Sequence, residues 1–253
     1  MTDVRSEVAG PVATVTLNRP DRRNAISGGL LTGLRATMAE LDASSDVRVI
    51  VLTGADPAFC AGLDLTELGH TDSPLARAAS GPVLPQLSKP LIGAVNGAAI
   101  TGGLELALAC DFLIASELAR FADTHARMGI QPGWGLTVEL PAAVGLRRAR
   151  QMSATGNFVD AATALAWGLV NHVVPHPELM GFTSQLAADV ASNDPAAVQT
   201  IFATYREVAR VPGADAMAVE RHAHERWHSG GIDREEVARR REAVIQRGRT
   251  QAG

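Results

Sequence analysis

The stretch Asn96-Gly97-Ala98-Ala99-Ile100-Thr101-Gly102-Gly103-Leu104-Glu105-Leu106-Ala107-Leu108-Ala109-Cys110-Asp111 decides how this chain is read. An apolar run, Leu91 to Val95, precedes it and stops at Asn96-Gly97, the pattern of a buried strand ended by a turn. Gly102-Gly103 then opens Leu104 to Ala109, where alanine and leucine favour a helix. Strand, glycine pair and helix in that order leave unpaired N–H groups at a helix start. With the helix dipole they form an end that holds a negatively charged oxygen. Glu105 stands three residues past Gly102 and falls on the same helical face. An acyl oxygen on the Gly102 N–H would then lie near a carboxylate that can move a proton beside an enolate. The same residues also have a purely structural reading, in which the glycines permit tight helix–sheet packing and Glu105 pairs with an arginine.

The flanking segments alternate between strand and helix. Val12 to Asn18 is rich in β-branched residues and stops at the turn signature Arg19-Pro20-Asp21. Ser27 is placed as the N-cap of a helix carrying Leu30, Leu31, Leu34, Met38 and Leu41 on one face. Val47 to Leu52 reads as a buried strand ended by Thr53-Gly54, and Phe112 to Ala115 and Arg120 to Ala122 as two more. Ala58 to Leu65 is small and turn-like; a second backbone N–H there would complete an oxyanion hole, and otherwise it is a plain turn. From Pro195 the pattern is helical, in segments near 195–209, 215–228 and 234–247. The division expected is therefore an α/β core over 1–194 and a helical region over 195–253. Residues 69–85 show no periodicity and read as a surface loop, and no repeat of fixed period is visible.

Composition excludes several classes. Lys and Arg total 23 against 27 Asp and Glu, a formal charge of −4 with no basic tail, which argues against nucleic acid as a partner. The uncharged run Pro90 to Leu104 is too short and too punctuated by glycine to span a bilayer. The opening residues have neither signal-peptide nor transit-peptide character, and two cysteines suit a reducing interior. The expectation is a cytoplasmic protein with no membrane association. Cys60, among apolar neighbours and with no nearby cation, reads as a packing residue rather than a nucleophile.

Five stretches, in order, resemble the crotonase, or enoyl-CoA hydratase/isomerase, superfamily. They are Asn18-Arg19-Pro20 through Ile26, Phe59 through Leu65, Lys89 through Asp111, Gly129-Ile130-Gln131-Pro132-Gly133, and Ala164 through Pro175. The resemblance covers about residues 4 to 200 and implies a spiral of ββα units followed by C-terminal helices that build homotrimers or pairs of trimers. It implies an acyl-CoA thioester as substrate, with coenzyme A entering only as part of it and no separate cofactor. By position, the N–H groups of Leu63 and Gly102 would hold the thioester oxygen. Ala25, Ala61, Asp64 and Leu65 would line the CoA path, with Arg22 or Arg23 near its phosphates.

The departures bear on the reaction. Hydratases of this family use two glutamates to position one water; Glu105 takes the first place, and His125 stands in the second. Imidazole exchanges protons near neutral pH, so His125 is a chemically competent replacement or a structural histidine. Asp123 lies two residues before it and would share its face only in an extended strand. Gly133 occupies the place of an aspartate found in some isomerase or dehalogenase relatives. Thr101 adds a hydroxyl to the pocket, and Trp134 adds bulk just past it. Arg239-Arg240-Arg241 stands near where relatives contribute Phe and Lys to a neighbour's CoA site.

The reaction expected is hydration of a 2-enoyl-CoA to the 3-hydroxyacyl-CoA through an oxyanion-stabilised enolate. A 3-enoyl-CoA to 2-enoyl-CoA isomerase using Glu105 alone, and a non-catalytic acyl-CoA-binding protein, are the alternatives. His224-Glu225-Arg226-Trp227-His228 also fits the H-E-x-x-H zinc pattern, but Arg234 stands where the longer form needs a third ligand. It reads as a polar helix face with Trp227 packed inward, so no metal is expected.

Overall fold

The computed structural model describes residues 2–68, 75, 82–209, 211, 221–222 and 225–226. Six strands form the larger sheet, in spatial order β1 (Val4–Ala9), β2 (Val12–Leu17), β3 (Val49–Gly54), β5 (Leu91–Val95), β7 (Phe112–Ser116) and β10 (His172–Val174). The β1–β2 pair is antiparallel and the remaining pairs are parallel. A smaller sheet runs β4 (Ala58–Cys60), β6 (Ala98–Ile100), β8 (Arg120–Ala122) and β9 (Val159–Asp160).

After β2 comes α1 (Gly28–Ala43), and then the chain repeats one move three times. It lays a strand in the larger sheet, the next in the smaller sheet, and turns into a helix. The three passes are β3, β4 and α2 (Leu65–Leu68); β5, β6 and α3 (Gly102–Leu108); β7, β8 and α4 (His125–Met128). This is the ββα spiral that the resemblance implies. The passes begin at Val49, Leu91 and Phe112, so unevenly that the repeat leaves no fixed period in the sequence. Helices α5 (Leu136–Val144), α6 (Leu146–Thr155), α7 (Ala161–Trp167), α8 (Leu179–Ala191) and α9 (Pro195–Val208) follow.

Strands β3 and β5 are buried at every residue because apolar layers cover both faces of a parallel sheet. Ile50, Leu52, Leu91 and Val95 join the main core with Leu30, Leu34 and Met38 of α1, and with Phe59 and Phe121 of the smaller sheet. Val49, Val51, Ile92 and Ala94 face a second core completed by Leu179, Ala187 and Ala191 of α8. The Ser27 side chain caps α1 by accepting the Leu30 N–H at 3.0 Å, and all five apolar residues named from the sequence are buried. Each such burial contributes about 1.5–3 kcal/mol.

Two readings change. Ala58 to Cys60 is a fully buried strand rather than part of a plain turn, since its partner β6 covers it. Strand β1 was invisible in the sequence because it lies on the sheet edge with an almost wholly exposed surface, and so carries no apolar alternation.

The packing divides the chain into Met1–Val198 and Gln199–Gly253, a division that falls inside α9 just past the 194/195 boundary read from the sequence. In the second unit, Arg226 and Glu207 approach to 3.7 Å. The helical segments expected near 215–228 and 234–247, the His224–His228 motif, Arg239 to Arg241 and most of the 69–85 loop lie outside the described residues. Among the described residues, no helix is long and apolar enough to cross a membrane.

Candidate active site

The second pass of the spiral delivers Gly102 and Glu105, and the first delivers Leu63. The loop after β4 is held by two bonds to Ile26, whose N–H donates to Gly62 O at 2.8 Å and whose carbonyl accepts the Asp64 N–H at 2.9 Å. Leu63 sits between them, and among the described residues neither its N–H nor that of Gly102 has an acceptor. The two lie together: a Cβ built on Gly102 would stand 3.6 Å from the Leu63 nitrogen, and one built on Gly62 would stand 3.6 Å from the Gly102 nitrogen. Gly103 has a different task. A Cβ there would come within 2.1 Å of the Cys60 carbonyl oxygen, so only glycine lets α3 seat against β4.

Thr101 turns the chain into α3 at φ 54° and ψ −109°, a conformation that costs energy for a β-branched residue. Its N–H donates to Ala122 O at 2.8 Å, and its Oγ1 accepts the Thr124 N–H at 3.1 Å while sharing a proton with Thr124 Oγ1. The hydroxyl expected to add polarity to the pocket is thus spent on clasping β6–α3 to the turn that carries His125. That clasp aims the Gly102 N–H and fixes the opposite wall at once.

Glu105 is buried, and its partners answer the question left open by its sequence. It accepts the Trp134 N–H at 2.8 Å on Oε1 rather than pairing with an arginine, and the Gly133 and Leu136 N–H groups also favour its charged form. Burial pushes its carboxyl above the usual range, against the pull of those N–H groups and of His125. Its other oxygen, Oε2, faces His125 Nε2 at 3.7 Å. The Trp134 ring closes one side, with Cζ3 3.3 Å from a Cβ built on Gly102.

His125 is buried too, and its second nitrogen is engaged. Nδ1 lies 2.6 Å from Asp123 Oδ1, the same oxygen that accepts the His125 backbone N–H at 3.1 Å. The expectation that these two residues could meet only along an extended strand is corrected. Asp123 forms an Asx turn into α4, which folds its carboxylate back onto a residue two positions on. Burial pushes the Asp123 carboxyl up, but bonds from His125 and Ser153 outweigh it and hold the group below the usual carboxylate range. Asp123 was named from the sequence but given the wrong geometry, and Ser153, which helps lower its pKa, was not named. An Asp two residues before a helix-opening residue was the available signal for the first; nothing local marks Ser153.

The residues expected along the CoA path form one knot at the Arg19 end of the first motif. Ala61 N–H donates to Arg23 O at 3.0 Å, Arg19 Nη1 donates to Ala25 O at 2.6 Å, and Arg19 Nη2 to Asp64 Oδ2 at 3.1 Å. Burial raises the Asp64 carboxyl, but the Arg19 and Thr66 bonds bring it below its ordinary value. Arg23 and Leu65 stay exposed. The organiser of the knot is buried Asn24, at φ 55°, whose Nδ2 donates to Ala55 O and Ala58 O and whose Oδ1 accepts the Arg19 N–H. Cys60, expected to be inert, is fully buried, and its thiol is pushed up to about 12 by that burial.

A second carboxylate–imidazole row stands in the same unit. Ser116 Oγ lies 3.0 Å from His176 Nδ1, and His176 Nε2 lies 3.2 Å from Asp56 Oδ2. It has the members of a hydrolytic triad without the function. Ser116 is completely buried, and its oxygen already accepts the Leu118 N–H at 3.0 Å.

A family model described as enoyl-CoA hydratase/isomerase matches residues 7–239. A probable peroxisomal enoyl-CoA hydratase of Arabidopsis thaliana is 34% identical over 247 residues, covering 95% of this chain and 91% of its own. A short-chain-enoyl-CoA hydratase of Clostridium acetobutylicum is 38% identical over 79% of both chains. Among solved structures, an enoyl-CoA hydratase from Mycobacterium avium is 46% identical with a TM-score of 0.77, covering 88% of this chain and 94% of that one. One from Bacillus anthracis superposes with a TM-score of 0.88 at 33% identity, covering 96% of each.

Proposed function

This chain belongs to the enoyl-CoA hydratase/isomerase family, and on that premise we propose that it is a lyase adding water across the double bond of a 2-enoyl-CoA. The observation that carries the reading is the buried pair Glu105 Oε2 and His125 Nε2, facing each other at 3.7 Å. That gap is too long for a direct hydrogen bond, yet one water can sit about 2.8 Å from both atoms.

The steps follow from the groups. The N–H groups of Leu63 and Gly102 hold the thioester oxygen and stabilise the negative charge it gains as C3 is attacked. The water oxygen bonds to C3 while one of its protons passes to His125 Nε2. Glu105, whose carboxyl burial shifts toward the protonated form, gives a proton to C2 as the enolate collapses. The proton left on His125 then crosses to Glu105 Oε2, and the site is reset. Water has been added, with hydroxyl on C3 and hydrogen on C2, and no other group is consumed.

Arg23, Ala25, Ala61, Asp64 and Leu65 line the coenzyme A portion in this reading, and Thr101 and Trp134 border the acyl end. No cofactor is needed beyond the coenzyme A carried by the substrate. The assembly proposed is a cytoplasmic homotrimer or pair of trimers, which sedimentation of the purified protein tests. The reaction itself is tested by the enone absorbance of crotonyl-CoA. Loss of absorbance with 3-hydroxybutyryl-CoA as product supports hydration. Unchanged absorbance over folded protein, with a 3-enoyl-CoA converted to its 2-enoyl isomer, overturns hydration in favour of one-base isomerisation.

A further inference from the structure

We propose that Asp123 is a positioning residue for the reaction: it holds the Nδ1–H of His125, so that Nε2 is the nitrogen presented to Glu105 and to the attacking water. The inference rests on the hydratase reading and deepens it, because it explains how an imidazole can stand where relatives of this fold use a carboxylate. A glutamate has two equivalent oxygens and needs no choice of tautomer. A neutral imidazole carries one proton on either of two nitrogens, and only one arrangement leaves Nε2 able to accept.

The choice is made by bonds on the page. Asp123 Oδ1 takes both the ring Nδ1 at 2.6 Å and the His125 backbone N–H at 3.1 Å. An ionised carboxylate only accepts, so Nδ1 must be the donor. Thr124, between the two residues, is clasped by Thr101 at the entry to α3, so the Asp–Thr–His turn and the Gly102 N–H keep one geometry. Asp123 is 1% exposed, and its carboxylate is spent on the ring and the backbone N–H of His125. Its action is through His125 alone.

The test compares wild type with Asp123→Ala and Asp123→Asn, using crotonyl-CoA kinetics and long-range 1H–15N spectra of the His125 ring. The wild-type ring is expected to carry its proton on Nδ1. Asp123→Ala removes the acceptor: kcat falls by about 10²–10³-fold while KM changes by less than about threefold, and the Nδ1 proton is lost to Nε2. Asp123→Asn keeps an oxygen that can take both N–H groups, so it retains the Nδ1–H form and recovers part of the rate. A purely structural role would lower stability without moving the ring proton. A wild-type ring with Nδ1 unprotonated overturns the proposal, and so does a folded Asp123→Ala enzyme with kcat within about threefold of wild type. If wild type hydrates no enoyl-CoA, the hydratase reading fails on its own. The ring spectra of wild type and Asp123→Asn, which do not depend on turnover or on the alanine variant folding, still decide what Asp123 does.

Discussion

Asp123–His125–Glu105 and Asp56–His176–Ser116 each set an imidazole between an acid and a second polar group, and they are put to opposite uses. In the second row every valence is closed. Ser116 gives its hydroxyl proton to His176 Nδ1 and accepts the Leu118 N–H, while His176 Nε2 donates to Asp56, itself held by Asn96 Nδ2 at 2.8 Å. The Asp56 side chain is 64% exposed, so water screens whatever charge the row carries. In the first row all three side chains are buried, and the last gap, 3.7 Å, is left open. A row of the right residue types becomes chemistry only where it ends in two groups held apart rather than bonded, with their side chains buried.

The strongest way to break this contrast is to remove the acid at the open end. Glu105→Gln keeps an oxygen for the Trp134 N–H but has no proton to deliver, and kcat on crotonyl-CoA is expected to fall by about 10²–10⁴-fold. KM should change little, since the oxyanion donors are backbone groups elsewhere. Unchanged turnover would take Glu105 out of the mechanism and leave the two rows alike.

The closed row makes the opposite prediction. Ser116→Ala strands the Leu118 N–H and His176 Nδ1 beside the sheet, at a cost of about 1–3 kcal/mol in urea unfolding. Turnover should stay within about twofold of wild type. A large loss of kcat in stable protein would show that this row, too, takes part in the reaction.

Much of this was legible in the sequence, for identifiable reasons. Ser27 and the five apolar residues of α1 carry a periodic signal that local physics enforces. Leu91 to Val95 could be bounded to the residue because Asn96-Gly97 ends it. Glu105 was legible because a helix fixes its distance from Gly102. What escaped depends on contacts distant in sequence or on an edge with no buried face. Strand β1 is one case, and the strand nature of Ala58 to Cys60, set by pairing with β6, is another. The Asp56–His176 contact joins residues 120 apart and has no local trace at all. Asp123 stands between these extremes: its turn is local, but the value of that turn appears only once Glu105 is seen facing the far side of the ring.

The smallest effect sharpens the contrast through stability. Burial raises the folded-state pKa of Glu105 above its unfolded value, so between the two the native protein binds more protons than the unfolded chain. Wild-type stability must therefore fall as pH rises through that window, and the penalty for a buried charge is complete above the folded value. Below the unfolded value, near pH 4, the carboxyl is neutral in both states and the penalty is gone. Glu105→Gln never carries the charge. It should show a higher Tm than wild type at pH 8, with the difference closing toward pH 4. The same substitution that abolishes turnover thus stabilises the fold, whereas Ser116→Ala spares turnover and weakens it. A Glu105→Gln Tm below wild type at pH 8 would mean that the carboxylate is held by its N–H partners more firmly than burial disfavours it, and the reactive row would then be as settled as the closed one.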